Sequence, residues 1–203
     1  MVLYLIRHGK INRDGSHSDY YYRLSDEGIY EVKEMALFLK NNYHDDSKKN
    51  IIFSSNTLRT IETSIILSET INEKIEIVKD AHEMSMGYND CKDKSLWKYV
   101  LENGKFTNRE GFTNLEKFRT RHYLGESPYD TYKRLNTLKN IILLSNSENI
   151  YIVGHGTTLR LLLMQLSNKS VNWYYEEAIP NNASVRKLVL QNNKVISDKY
   201  IWR

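Results

Sequence analysis

The chain reads as an α/β protein, a three-layer α/β/α sandwich whose mostly parallel sheet carries an antiparallel edge and a cap insertion. Three observations predict it. Short apolar, β-branched runs alternate with segments of helical periodicity, as in a parallel sheet covered on both faces. The last stretch abandons that alternation and reads as a hairpin. Residues 88–130 also interrupt it, with many cationic and aromatic side chains.

The strand readings fall on residues 2–6, 51–53, 75–78 and 150–153, which are short and rich in Ile, Val and Leu. Between them, 26–41 places Ile29, Val32, Met35, Ala36 and Leu39 at helical spacing, and Asp26 and Glu27 near its start suit the positive end of a helix dipole. Ile61, Ile65 and Ile66 predict a helix over 57–70, and 131–145 and 157–167 read as two more. Residues 184–190, the turn Gln191-Asn192-Asn193 and residues 194–196 predict an antiparallel hairpin. The interruption at 88–130 holds Lys92, Lys94, Lys98, Lys105, Arg109, Lys117, Arg119 and Arg121, interleaved with aromatic residues such as Trp97, Tyr99, Phe106 and Phe118. We read it as a partly helical insertion covering a site, within one domain spanning 1–203.

Composition narrows the class. The 203 residues are 40% hydrophobic and 27% charged, ordinary for a soluble domain able to bury a core. A formal charge of +4 suits an anionic substrate, but it is too mild to argue for nucleic acid and is also what a solvated surface gives. A single cysteine, Cys91, excludes an intrachain disulfide and a multi-cysteine zinc site. No apolar run is long enough to span a membrane, and the amino terminus begins a strand without a signal pattern, so the cytoplasm is the expected location. No P-loop or dinucleotide fingerprint is present, and His17, His44, His82 and His122 lack metal-ligand spacing. A homodimer is compatible with the sequence.

The chemistry gathers at strand ends. Arg7-His8-Gly9 follows the apolar run 2–6, and His155-Gly156 follows Ile150-Tyr151-Ile152-Val153-Gly154. Ligands bind at that end of open α/β sheets. Arg59 follows Phe53-Ser54-Ser55-Asn56-Thr57-Leu58, so it falls in the first turn of a helix whose amino terminus would favour an anion. Phosphoryl transfer needs a nucleophile, cations on the phosphoryl oxygens and an acid for the departing alkoxide. His8 can supply the first, Arg7, Arg59 and His155 the cage, and Glu83, in Ala81-His82-Glu83-Met84-Ser85-Met86-Gly87, the acid. Each residue alone is more often structural; two strand–His-Gly units with a strand–Ser-Ser–Arg unit are what argue for catalysis. No metal or other cofactor is needed.

These segments resemble the histidine phosphatase superfamily, with its phosphoglycerate mutase-like fold. Arg7-His8-Gly9 is similar to the opening motif and implies His8 as the residue that becomes phosphorylated. Leu24-Ser25-Asp26-Glu27-Gly28 resembles the start of the first helix. Ser54 to Thr63 resembles the second phosphate-binding motif, implying Arg59 as a ligand. Glu83 to Gly87 resembles the acid segment of the glutamate-bearing branch. Gly125-Glu126-Ser127 with Arg134 is similar to the lead into the next helix. Val153 to Arg160 matches the second-histidine motif, and Ile179 to Val185 resembles the closing segment.

The resemblance implies a metal-independent phosphomonoesterase working through phosphohistidine on a small phosphorylated metabolite, with no nucleic-acid or membrane partner. The chain departs from the family at Lys10, where glutamate or glutamine is usual, and at Asp14, where asparagine is usual. Asn12 becomes the candidate phosphate ligand of that loop, with Gly156 a further contact through its backbone. Tyr20-Tyr21-Tyr22 admits a packing role or an aromatic substrate wall. Two alternatives stand beside hydrolysis. One is a phosphoglycerate mutase-type phosphotransferase, disfavoured because no paired-arginine motif occurs in 88–125; the other is a catalytically weak phosphate-binding scaffold.

Overall fold

The computed structural model describes residues 1–12, 21–87, 109–122 and 124–202. Six strands form one sheet in the order β3-β2-β4-β1-β5-β6. They are β1 (Val2–Arg7), β2 (Asn50–Ser54), β3 (Ile75–Ile77), β4 (Asn149–Gly154), β5 (Val185–Gln191) and β6 (Lys194–Trp202). The first four are mutually parallel, β5 runs antiparallel to β1, and β6 antiparallel to β5.

The helices among the described residues are α1 (Asp26–Asn42), α2 (Leu58–Ile71), α3 (Asn114–Arg119), α4 (Pro128–Arg134), α5 (Asn136–Leu144), α6 (Gly156–Leu166) and α7 (Val171–Glu176). A short 3-10 turn, Lys79–Ala81, follows β3. Local chemistry sets their starts. Ser25 caps α1 by accepting from the Gly28 N–H, and Thr113 and Ser127 open α3 and α4 with reciprocal capping boxes to Glu116 and Asp130.

The central strands β1 and β4 are apolar along their length because both faces are covered. Alternate residues divide between two cores. Leu3, Leu5, Ile150 and Ile152 pack with Leu159, Leu162 and Leu138, whereas Tyr4, Ile6, Tyr151 and Val153 pack with Val32, Met35 and Leu67. The chain therefore leaves β1 through α1 over one face and leaves β4 through α6 over the other. The crevice between those strand ends is a topological switch point. Register makes it compact: Ile6 lies opposite Val153 and Arg7 opposite Gly154, so His8 and His155 emerge level and side by side.

Three readings are corrected by the structure. The helix expected over 131–145 starts at Pro128 and divides at Leu135. Gln165 of α6 donates its side-chain N–H to the Tyr132 carbonyl, the acceptor that Asn136 would use in an unbroken helix, and also bonds Asn136 Oδ1 at 3.2 Å. The final strand runs to Trp202 rather than ending at 196, its polar residues paired across the hairpin through Arg186 and Asp198. Its two-residue turn has positive φ at both Asn192 and Asn193, as a type I′ hairpin requires. Helix α7, capped by Ser170, was not anticipated.

Much of the proposed cap at 88–130 lies outside the described residues, as do Asp14, Tyr20 and Cys91. Of the tyrosine cluster, Tyr22 is buried and Tyr21 exposed. No helix among the described residues is long and apolar enough to cross a membrane.

Candidate active site

His8 is buried and held at each of its backbone groups. Its N–H donates to the Gly154 carbonyl at 3.0 Å, and its own carbonyl accepts from the Ala183 N–H at 3.1 Å and from the Asn182 side-chain amide at 3.0 Å. Ala183 adopts a left-handed φ of 53°, unusual for a residue with a Cβ, to make this return. The His8 Nδ1 lies 2.7 Å from the Gly9 carbonyl oxygen. That oxygen can only accept, so Nδ1 carries the proton and Nε2 keeps its lone pair.

Gly9 must be glycine. A Cβ there would lie 2.6 Å from Val32 Cγ2 and 2.8 Å from the Gly28 carbonyl oxygen. Thr63 of α2 accepts from the Gly9 N–H at 3.2 Å and donates to the Arg59 carbonyl at 2.8 Å, tying the His8 loop to the helix that bears Arg59.

His155 is fully buried as the N-cap residue of α6, and its ring centroid lies 5.3 Å from that of His8. The Ser55 hydroxyl meets its Nε2 at 2.9 Å, and its Nδ1 has no hydrogen-bond partner among the described residues. Burial, reinforced by Arg59, His8, His82 and Arg7, holds its pKa well below the ordinary imidazole value, so the ring is neutral near pH 7.

Arg59 is buried in the first turn of α2 and close enough to influence both His155 and Glu83. The Arg7 guanidinium donates to the Pro180 carbonyl at 2.5 Å and passes over Gly156, where a Cβ would lie 3.7 Å from Nε. Glu83 sits against the amino terminus of α6. Its Oε1 accepts from the N–H groups of Met84 at 2.8 Å and Thr158 at 3.2 Å, and its Oε2 from Thr157 at 3.2 Å. Loss of bulk water pushes its pKa up; those three bonds and Arg59 pull the other way without cancelling the rise.

The crevice thus gathers Arg7, His8, Arg59, Glu83 and His155 from four separate stretches of chain. Gly156 lies beside the Arg7 guanidinium. Asn12 is exposed, with its N–H bonded to the Arg23 carbonyl at 3.3 Å, and no contact joins its side chain to the histidines. Lys10 is exposed and pairs with Glu27, so that departure from the family pattern faces solvent. Sequence reasoning passed over Ser55, Thr63 and Asn182 as working residues. All three lie in motifs already noted, but a hydroxyl's partner one hundred positions away leaves no trace in local spacing.

A histidine with its lone pair on Nε2, beside the buried Arg59 and half-buried Arg7 guanidinium groups, an uncharged imidazole and a carboxyl with a raised pKa, is a set that can transfer a phosphoryl group. The comparisons agree with that chemistry. A sequence profile of the histidine phosphatase superfamily (branch 1) matches residues 3–202. A relative from Hydrogenobacter thermophilus named "Putative phosphoserine phosphatase 2" is 25% identical over 201 residues, covering 95% of this chain and 91% of its own. Two solved structures share the fold. The α-ribazole phosphatase of Shigella flexneri has a TM-score of 0.74 at 18% identity, covering 96% of this chain and 93% of its own. A mycobacterial glucosyl-3-phosphoglycerate phosphatase in complex with inorganic phosphate has a TM-score of 0.74 at 18% identity, covering 99% and 96%. With its strand-end histidines in register and the family profile matching nearly end to end, the chain belongs to the histidine phosphatase superfamily, branch 1.

Proposed function

We propose that this protein hydrolyses phosphate monoesters of small metabolites through a phosphohistidine on His8, without a metal. The observation that carries the reading is the 2.7 Å contact between His8 Nδ1 and the Gly9 carbonyl, an acceptor that assigns the ring proton to Nδ1 and leaves the lone pair of the nucleophile on Nε2. In the first step Nε2 attacks phosphorus and the bond to the ester oxygen breaks. Glu83 passes its proton to the departing alkoxide. In the second, the Glu83 carboxylate takes a proton from water as the water oxygen attacks phosphorus, the P–N bond breaks, and phosphate and both side chains are regenerated.

Arg7 and Arg59 neutralise the phosphoryl oxygens in both steps, and His155 donates to one of them through a ring N–H. The insertion at 88–130 selects among substrates, and the cytoplasm, where phosphorylated metabolites are made, is the place of action. Membership of the superfamily and the phosphatase names of the relatives put the reaction class at phosphoric monoester hydrolysis.

The test is phosphate release from p-nitrophenyl phosphate and a panel of sugar, glycerate, serine and nucleoside phosphates in EDTA, comparing wild type with His8→Ala. Turnover by wild type alone is expected. Equal turnover by the variant, or none by folded wild type, overturns the reading.

A further inference from the structure

Glu83 lies on a segment that the sheet barely holds. Strand β3 stops at Ile77, the last tie to β2 is the Val78 N–H on the Ser54 carbonyl at 2.8 Å, and the chain then runs through Lys79–Ala81 with only local turn bonds. Beyond the packing of Ala81 and the bonds of the Glu83 carboxylate itself, the backbone of the segment is held by Glu126 and Arg134, 41 to 54 residues further along.

Arg134 donates Nε to Glu126 Oε1 at 2.7 Å and Nη2 to Oε2 at 3.0 Å, a two-point fork. Its remaining hydrogens reach the segment itself: Nη1 to the Asp80 carbonyl at 2.5 Å and Nη2 to the Glu83 carbonyl at 3.1 Å. Glu126 completes the grip. Its Oε2 accepts from the Ser85 N–H at 3.0 Å and its own N–H donates to the Ser85 carbonyl at 2.8 Å. Both side chains are largely removed from solvent, at 15% and 21% exposure, so neither can leave its partner without stranding a charge. Gly125 lets the two backbones approach, for a Cβ there would stand 2.6 Å from the Gly87 nitrogen and the Ser85 carbonyl oxygen.

We infer that Glu126 and Arg134 are positioning residues that substitute for the missing sheet ladder and hold the Glu83 carboxyl over the amino terminus of α6. The inference rests on Glu83 as the acid of the proposed reaction. Neither residue touches the phosphoryl group; they act through the backbone at Asp80, Glu83 and Ser85. A lysine at 134 keeps the charge but cannot span Glu126 and two carbonyls at once.

The experiment measures kcat and KM for glycerol phosphate, whose alkoxide needs a proton, and for p-nitrophenyl phosphate, whose leaving group barely does. The proteins are wild type, Glu83→Gln, Arg134→Lys and the double variant. Arg134→Lys should lower kcat/KM, which reports the first chemical step alone, on glycerol phosphate roughly tenfold or more relative to p-nitrophenyl phosphate. Added to Glu83→Gln it should cost nothing further on that ratio. Equal losses on both esters, or a loss in ratio that multiplies with Glu83→Gln, would overturn the positioning role while leaving Glu83 in place. Loss of selectivity in neither single variant would instead remove Glu83 as the acid, and the inference with it. Should Arg134→Lys fail to give the wild-type circular dichroism spectrum, Glu126→Gln carries the same comparison, with a smaller selective loss expected.

Discussion

The Nδ1 of His8 and the carbonyl oxygen of its neighbour Gly9 stand 2.7 Å apart, and that single bond leaves the ring's lone pair on Nε2, the atom that attacks phosphorus in the proposed reaction. Because the same carbonyl also accepts from Asn182 at 3.3 Å, the ring is oriented from both chain ends. Replacing Asn182 by alanine should leave the fold intact and reduce kcat by about tenfold, through misorientation of His8. Steady-state kinetics with a thermal melt as control checks this, and an unchanged kcat would remove Asn182 from the site.

In the proposed reaction Glu83 sets the pH dependence. Its folded pKa lies above the ordinary carboxyl value because of burial, so the proton-donating form is complete at low pH and is lost as pH rises through that raised pKa. The expected kcat/KM profile for glycerol phosphate therefore has a falling limb on the alkaline side. Glu83→Gln should abolish that limb and cost about 10²–10⁴-fold on this ester. For p-nitrophenyl phosphate the loss should be far smaller. Equal losses on the two esters would show that Glu83 is not the donor.

His155 makes the opposite contribution to stability. Its folded pKa is depressed, so its stabilising effect is fully present above the unfolded imidazole value of about 6.5 and is lost as pH falls below it. Urea unfolding should show stability declining below about pH 6.5, by at most about 1.4 kcal/mol per pH unit from this group. In His155→Gln that part of the slope should vanish; identical slopes would mean the imidazole is charged in the folded protein.

Gly28 sits where α1 meets the backbone of Lys10, and a Cβ there would come within 2.0 Å of the Lys10 carbonyl oxygen. That oxygen also accepts from the Ser25 N–H at 2.9 Å, so it cannot simply move aside. Gly28→Ala should destabilise the protein by about 2–3 kcal/mol and, by displacing the loop that follows His8, lower turnover as well. Denaturant titration measures the first effect; stability equal to wild type would contradict the close approach.

What the sequence showed of this molecule was what local chain chemistry encodes. A short apolar run that ends in His-Gly reads as a strand delivering a side chain to the sheet edge, and both His8 and His155 do this. Arg59 was legible for the same reason, from a strand followed by a hydroxyl-rich turn and a helical pattern. The features that escaped depend on partners distant in sequence. Gln165 breaks a helix at Leu135 by taking the Tyr132 carbonyl, and Ser55 finds His155 across the crevice. Arg134 reaches back to Glu83 from α4. Asn12 was expected to bind phosphate as a stand-in for the asparagine usual at position 14, but its exposure and its backbone bond to Arg23 do not bring it to the histidines.

The most direct measurement is to trap the enzyme during turnover of p-nitrophenyl phosphate, quench it in alkaline denaturant and locate the phosphoryl group by mass spectrometry. The mechanism proposed here requires one acid-labile phosphoryl group on the imidazole of His8, absent from His8→Ala, which should neither label nor turn over. Turnover with the label on another residue, or steady hydrolysis by His8→Ala, would contradict it.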